Sequence, residues 1–284
     1  MHIDLDFQAH LEARFGAKFI LSEILTGGDI NSVFRLKSQH LSYVLKLNEA
    51  ELYPDLFQKE ANGLKELTTS KTIDVPKVFG YGEFDTQTYL LIEYKRSGIK
   101  KEGFWEDFGH QLADLHKMSQ STFGFKENNF IGSLPQFNEP EQTAADFLIQ
   151  QRLKPQFQKA QQLGYDFEPL DAFFKTIKPL IPEESPALIH GDLWSGNYLI
   201  NSKNQPCLID PAVAYAPREM DLAMMKLFGG FDDKLFQAYH ESFPLQSNMK
   251  NRIPLWQLYY VLVHVNLFGG GYYRQAQDII NRYL

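Results

Sequence analysis

A chain of 284 residues, 44% hydrophobic and 22% charged, can fill one large core or two smaller ones, which excludes intrinsic disorder, collagen and coiled coil as its dominant state. Its 28 Lys and Arg against 35 Asp and Glu give a net charge of −7, which disfavours a nucleic-acid binder that tracks phosphates. A single cysteine, Cys207, can neither close an intrachain disulfide nor build a thiolate zinc site; no stretch approaches the ~18 apolar residues of a membrane span, and MHIDLDFQAHLEARFG is acidic where a signal peptide is basic, so the chain reads as cytoplasmic.

Residues 5–15 read as a helix, followed by the β-prone runs FILSEIL, SVFRLKS and SYVLKLN, broken at Gly27-Gly28-Asp29 and Gln39-His40 as in an antiparallel meander. Pro54 fits the first turn of a helix in which Phe57, Glu60, Leu64 and Leu67 share one face. KVFGYGEF and TYLLIEYK add two strands, so residues 1–95 are expected to form a small five-stranded sheet with a helix packed on it. From 96 to 284 the texture is mainly helical, with apolar residues at steps of three and four from FWEDFGHQLADLHKM to the terminal YYRQAQDIINRYL. Inside this region ALI, YLI and CLI alternate with polar loops, as small strands at the edge of a helical body do. The expected class is α+β, a β-rich lobe followed by a larger helical one.

His190-Gly191-Asp192-Leu193-Trp194-Ser195-Gly196-Asn197 places an acid ahead of an amide on one loop, and Asp210 ends the next apolar triplet. Kinase-type phosphoryl transfer needs an Asp that orients the acceptor hydroxyl and takes its proton, an Asn on the same loop to hold Mg²⁺, and a later Asp bridging Mg²⁺ to the phosphates. Asp192, Asn197 and Asp210 suit those roles, and the hard oxygens of Asn197 and Asp210 are what Mg²⁺ requires. Taken singly, Asp192 and Asn197 fit a surface Asx turn as well, and Asp210 a strand-ending cap.

The upstream residues weigh against that plainer account. Strand alternation puts Lys46 on the same face as Val44, and an inward lysine needs a counter-charge that Glu60 can offer. Alone, Lys46 could be a snorkelling strand lysine and Glu60 an exposed flank residue. Together, Lys, Glu, Asp, Asn and Asp follow one another in the order that a kinase fold demands.

HGDLWSGN, the following IDPA and PREMDLA, and GGDIN near the start resemble the fructosamine kinase family, from Gly27 to the C-terminal LFGGG segment. The resemblance implies a two-lobed protein-kinase-like fold and ATP-dependent phosphorylation, usually at O3, of a ketosamine formed when a sugar glycates an amine. The acceptor would be a small ketosamine (fructosamine, ribulosamine or erythrulosamine) or a glycated protein lysine; the unstable product releases the amine, a deglycation. ATP and Mg²⁺ are the cofactors implied. HGDxxxxN with a later Asp also occurs in aminoglycoside phosphotransferases and choline kinases, which stay open as alternatives, as does a pseudokinase that binds nucleotide without turnover. The oligomeric state stays open too.

Further roles follow from the resemblance. Gly27, Gly28 and Asn31 fall in the nucleotide loop, although a Gly-Gly-Asp hairpin needs no ligand. Asp29 stands where eukaryotic relatives carry a redox-active cysteine. Backbone groups around Glu93, Tyr94 and Lys95 would meet the adenine edge, and Trp194 would stack on the sugar. Asp221 would hold the catalytic loop from behind and His190 would brace it, whereas helix-dipole stabilisation accounts for Glu219. His116 and His264 read as hydrogen-bonded core or interhelix residues.

Overall fold

The computed structural model describes residues 3–25, 31–39 and 41–284. Helix α1 (Leu5–Phe15) precedes strands β1 (Ile20–Leu25), β2 (Ser32–Ser38) and β3 (Leu41–Glu49), helix α2 (Leu56–Ser70), and strands β4 (Val78–Phe84) and β5 (Gln87–Glu93). These strands form one antiparallel sheet in the order β1-β2-β3-β5-β4. The meander expected of the first three strands is present. Helix α2 carries the chain to the far edge, so β4 becomes the edge strand and β5 returns to pair with β3.

Alternation divides the sheet into two faces. Phe34, Leu36, Tyr43, Leu45, Leu47, Tyr89 and Leu91 pack with Phe7 and Leu11 of α1 on the outer face. Lys46, between the fully buried Leu45 and Leu47, therefore belongs to the opposite face, with Val33 and Leu90 as its cross-strand partners. Helix α2 lies with that inner face, burying Phe57, Ala61, Leu64 and Leu67. It begins at Leu56 behind Asp55, whose left-handed backbone (φ 61°) ends the preceding turn, so Pro54 lies in that turn and not in the helix.

A connector leads to α3 (Phe104–His116), then a hairpin of β6 (Asn129–Ile131) and β7 (Leu134–Gln136). The helix read over TAADFLIQQRLKPQFQKAQQLG is α4 (Ala144–Asp146) and α5 (Lys154–Gln162) joined by a π-helical stretch, Phe147–Leu153. After α6 (Leu170–Ile177), the strands β8 (Ala187–Ile189), β9 (Tyr198–Ile200), β10 (Pro206–Leu208) and β11 (Ala214–Ala216) pair as β8 with β11 and β9 with β10. Helices α7 (Glu219–Phe228), α8 (Asp233–Ser242), α9 (Met249–Phe268) and α10 (Gly271–Asn281) complete the chain. Among the described residues no helix is long and apolar enough to cross a membrane.

One apolar cluster runs through both regions: Leu64, Leu67, Leu90 and Ile92 of the sheet region pack with Leu188, Leu193, Leu208, Val213 and Met225 of the helical one. This shared core fixes the inner face of the sheet against the loops between β8 and β11, the segment that contains HGDLWSGN and IDPA.

Candidate active site

The centre of the site is a buried ammonium between two carboxylates. Lys46 Nζ lies 2.6 Å from Glu60 Oε1 and 2.6 Å from Asp210 Oδ1. Lys46 comes from the middle of β3, Glu60 from the first turns of α2, and Asp210 from the turn after β10. Burial opposes the charge of Lys46, but Asp210 and then Glu60 outweigh it and hold its pKa well above the ordinary lysine range. Burial pushes Glu60 up, helped by the nearby Asp210 and opposed by Lys46. The lysine thus stays charged, and the two carboxylates compete for it.

Asp210 adopts a left-handed backbone (φ 55°), a conformation that costs a non-glycine residue about 1–2 kcal/mol and is tolerated best by Asp and Asn. Two hydrogen bonds to the HGDLWSGN loop pin the chain on either side: Ile209 N–H donates to Asn197 O at 3.0 Å, and Ala212 N–H to His190 O at 2.9 Å. The turn and the loop are one hydrogen-bonded unit.

That loop is held from below by Asp221, in the first turn of α7. Its two oxygens accept the N–H groups of His190 (2.7 Å) and Gly191 (2.8 Å), and Oδ2 also meets His116 Nε2 at 3.2 Å. Burial raises the Asp221 pKa, but the bonds and charge of His116, with His190 and the Gly191 amide, overcome it and leave the carboxyl below its usual range. His190 Nε2–H donates to Ile209 O at 2.8 Å while Nδ1 accepts the Asp192 N–H at 3.3 Å, a pattern that one neutral tautomer satisfies. Its burial lowers its pKa and favours that neutral form. Gly191 has φ 85°, and a Cβ there would lie 2.0 Å from Ala212 O, so glycine is needed both for the backbone conformation and for the approach of the two chains.

Asp192 is half-buried, and its pKa is pushed up to about 7, chiefly by burial and then by the charge of Asp210, against the pull of an Asn197 hydrogen bond. The Asn197 amide group donates to Asp192 O at 2.9 Å and to Asp192 Oδ2 at 3.1 Å. Its nitrogen is thereby occupied, and its carbonyl oxygen is the atom suited to a cation. Asp210 uses Oδ1 on Lys46 and keeps Oδ2, on a side chain 40% exposed. One amide oxygen and one carboxylate oxygen form a hard donor pair that fits Mg²⁺, which takes its other ligands from phosphates and water. Trp194 is exposed over the small Gly196, where a Cβ would stand 2.2 Å from the indole ring.

The remaining residues singled out in the sequence sit around this cluster. Asn31 Oδ1 accepts from Asn48 Nδ2 at 2.7 Å, linking the start of β2 to the strand of Lys46. Gly27 and Gly28 lie outside the described residues. The Glu93 and Lys95 side chains are not in the cluster: Lys95 Nζ pairs with Glu93 Oε2 and Asp74 Oδ1, both at 2.9 Å, and Asp74 also accepts from Asn201 Nδ2 at 2.8 Å. The connector is thus tied to the β9–β10 hairpin. Tyr94 N–H donates to Ser42 O at 3.2 Å, and its ring carries the Arg35 guanidinium 3.9 Å above the centroid.

His116 is the hydrogen-bonded interhelix residue that the sequence suggests, but its partners, and the role of Glu219, escape sequence reading. His116 is a buried strut between Asp221 and the Tyr239 hydroxyl, which meets Nδ1 at 2.8 Å. Glu219, for which a helix dipole sufficed as explanation, is 1% exposed and accepts from Arg252 Nε (2.8 Å) and Nη2 (2.5 Å) and from Trp256 Nε1 (2.7 Å). It locks α7, and with it Asp221, onto α9. A first-turn acid followed by an arginine far downstream has no local pattern that announces the pair.

A sequence model described as fructosamine kinase matches residues 5–284. A protein of Enterococcus faecium named "Probable ketoamine kinase" is 36% identical over 265 residues, covering 91% of this chain and 94% of its own. The chloroplastic protein-ribulosamine 3-kinase of Arabidopsis thaliana is 34% identical over 266 residues, 91% of this chain and 81% of that one. The crystal structure of a candidate fructosamine-3-kinase from Thermobifida fusca superposes with a TM-score of 0.86 at 32% identity, covering 97% of each chain. A thermostable mutant of aminoglycoside phosphotransferase APH(4)-Ia superposes with a TM-score of 0.63 at 17% identity, covering 98% of this chain and 99% of that one, a likeness of fold.

Proposed function

The chain belongs to the fructosamine kinase family, and from that premise we propose that it transfers the γ-phosphoryl group of ATP to the O3 hydroxyl of a ketosamine. The observation that carries this reading is the convergence of Lys46, Glu60 and Asp210 beside the loop that holds Asp192 and Asn197. In the proposed reaction the acceptor oxygen attacks the γ-phosphorus, the bond to the ADP oxygen breaks, and the acceptor proton passes to Asp192. Asp192 need not be a strong base, because positioning and charge neutralisation dominate a loose transition state. Lys46, held charged, would contact the α- and β-phosphates, and Glu60 would position it.

Mg²⁺, held by Asn197 and Asp210, would supply charge neutralisation for the phosphates. The protein's own part is orientation: Asp221, His116 and Gly191 fix the Asp192 loop, and the shared core fixes Lys46 against it. Glycines 27 and 28 would cover the phosphates, with Asn31 at the foot of their loop; the backbone around Glu93, Tyr94 and Lys95 would meet adenine, and Trp194 the sugar. Residues 1–95 would serve as the nucleotide lobe and 96–284 as the catalytic and acceptor lobe. The lone, buried Cys207 fits a reducing cytoplasm.

ADP release measured across ketosamines, aminoglycosides and choline tests the reading. Turnover with ketosamines alone is the expected result, and turnover confined to aminoglycosides or choline would overturn the acceptor assignment.

A further inference from the structure

Helix α2 carries Glu60 to Lys46 and, beside it, a second polar row. Lys59, Asn62 and Glu66 follow one another at steps of three and four, so they share one stripe of the helix. Each of them meets the helical body. Lys59 Nζ lies 4.9 Å from the Phe130 ring centroid, and Asn62 Nδ2 donates to Glu127 Oε1 at 2.8 Å. Glu66 Oε1 accepts from the Tyr215 hydroxyl at 3.1 Å, while its Oε2 lies 3.4 Å from Lys126 Nζ.

Tyr215 stands on the same short segment as Asp210, and Glu66 on the same helix as Glu60, so α2 and residues 210–215 meet at successive points. At one end Glu60 and Asp210 share the Lys46 ammonium. In the middle Gly63 faces the segment closely: a Cβ there would stand 3.6 Å from Pro211 Cγ and 3.3 Å from Val213 Cγ2. At the other end Tyr215 holds Glu66. With a rise of 1.5 Å per residue, this outer contact lies about 9 Å along the helix from Glu60. One contact alone would leave the helix free to pivot about it, whereas two separated contacts fix its direction. Burial, and then the charge of Glu66, push the Tyr215 pKa up to about 12, so the hydroxyl keeps the proton it donates.

We propose that Tyr215 and Glu66, supported by Asn62 and Glu127, are positioning residues that hold α2 in register with the Asp210 segment, so that Lys46 is already shared between Glu60 and Asp210 when the nucleotide arrives. This deepens, and rests on, the reading of the site as one for ATP. The lysine stands between two carboxylates that compete for it, and a small tilt of α2 withdraws Glu60 while Asp210 keeps the ammonium. The outer contact prevents that tilt. It acts on Lys46 only by way of Glu60, which sets it apart from a contact that merely adds stability.

The test is calorimetric titration with ATP and Mg²⁺ of the wild type, Tyr215→Phe, Glu66→Leu and Glu66→Gln, with Tyr215→Phe made also in a Glu60→Gln background. Tyr215→Phe keeps the ring and removes the donor; it should weaken ATP binding about three- to tenfold, and Glu66→Leu should do the same. Glu66→Gln, which keeps an oxygen for the hydroxyl, should recover most of that loss. In the Glu60→Gln background the step from Tyr215 to Phe should change ATP affinity by less than about twofold, because the residue through which it acts is already altered. Thermal melting checks that the variants remain folded. Unchanged ATP affinity in Tyr215→Phe, or an undiminished loss in the Glu60→Gln background, would overturn the positioning role and leave the kinase reading intact. No ATP binding by the wild type would overturn that reading and this inference with it.

Discussion

Lys46 and Asp210 are 164 residues apart in the chain, yet the ammonium of one and a carboxylate oxygen of the other are 2.6 Å apart, with Glu60 at the same distance on the same nitrogen. The contact joins the sheet to the helical body at the point where nucleotide and acceptor would meet. Lys46 is the buried member: removing it leaves two carboxylates without their shared cation, whereas removing Asp210 leaves the ammonium paired with Glu60.

Lys46→Ala should leave the Glu60 and Asp210 carboxylates facing each other without their shared cation. Turnover should fall about 10²- to 10³-fold, with a raised KM for ATP. Glu60→Gln should cost less, about tenfold, because it acts through the lysine. Initial rates against ATP concentration check both, and Lys46→Ala kinetics matching the wild type would remove the lysine from the proposed site.

Asp210→Asn keeps the shape and the tolerance for a left-handed backbone while removing one anionic oxygen donor. Activity should drop by at least ~10³-fold, and higher Mg²⁺ should recover part of it. The melting temperature should stay within ~3 °C of the wild type. A variant that is both active and normal in its Mg²⁺ dependence would dismiss the metal assignment.

Asp221→Asn should weaken both stability and rate, since the carboxylate serves two loop amides and His116 at once. Loss of a buried hydrogen-bonded charge costs on the order of 3–5 kcal/mol. The sign of its pH dependence follows from its depressed pKa. The unfolded carboxyl titrates at the ordinary value and the folded one below it, so its stabilisation is complete above the ordinary Asp range and is lost as pH falls through the folded value. Urea unfolding between pH 3 and 7 should therefore show a shallower acid limb in Asp221→Asn than in the wild type, and parallel limbs would count against this linkage.

Gly191→Ala should disrupt the loop outright. The added Cβ would meet Ala212 O at 2.0 Å on a backbone with φ 85°, so the segment between β10 and β11 and the Asp192 loop must separate. A loss of at least ~2–3 kcal/mol and of nearly all turnover is expected. Calorimetry together with ADP release measures both, and native-like stability would show that the two chains can part without cost.

Much of this arrangement is written in local pattern. The alternation around Lys46 and the three-and-four spacing around Glu60 are short-range consequences of strand and helix periodicity, so each residue's face is readable from its neighbours. The same holds for β2, read as SVFRLKS, and for α3 and α6. Where local signals conflict with the path of the chain, the reading slips: Pro54 belongs to a turn, and the long helix over residues 144–162 contains a π-helical stretch; the place of β5 between β3 and β4 is not read at all. Local signals such as a strand run or a breaker carry nothing about which edge of the sheet the next strand will reach.

By itself the sequence determined that a β-rich region precedes a helical one, and placed Lys46, Glu60, Asp192, Asn197 and Asp210 in order along it, because periodicity and motif spacing are properties of the covalent chain. Only the tertiary structure decided that His116 meets Asp221, that Glu219 is locked to Arg252 and Trp256, and that Asp210 shares an ammonium with Glu60. Those pairs join elements distant in the chain. Their geometry is set when the common core of Leu64, Leu90, Leu188, Leu208 and Val213 closes, and a buried polar group can choose its partner only after apolar packing has brought the candidates within reach.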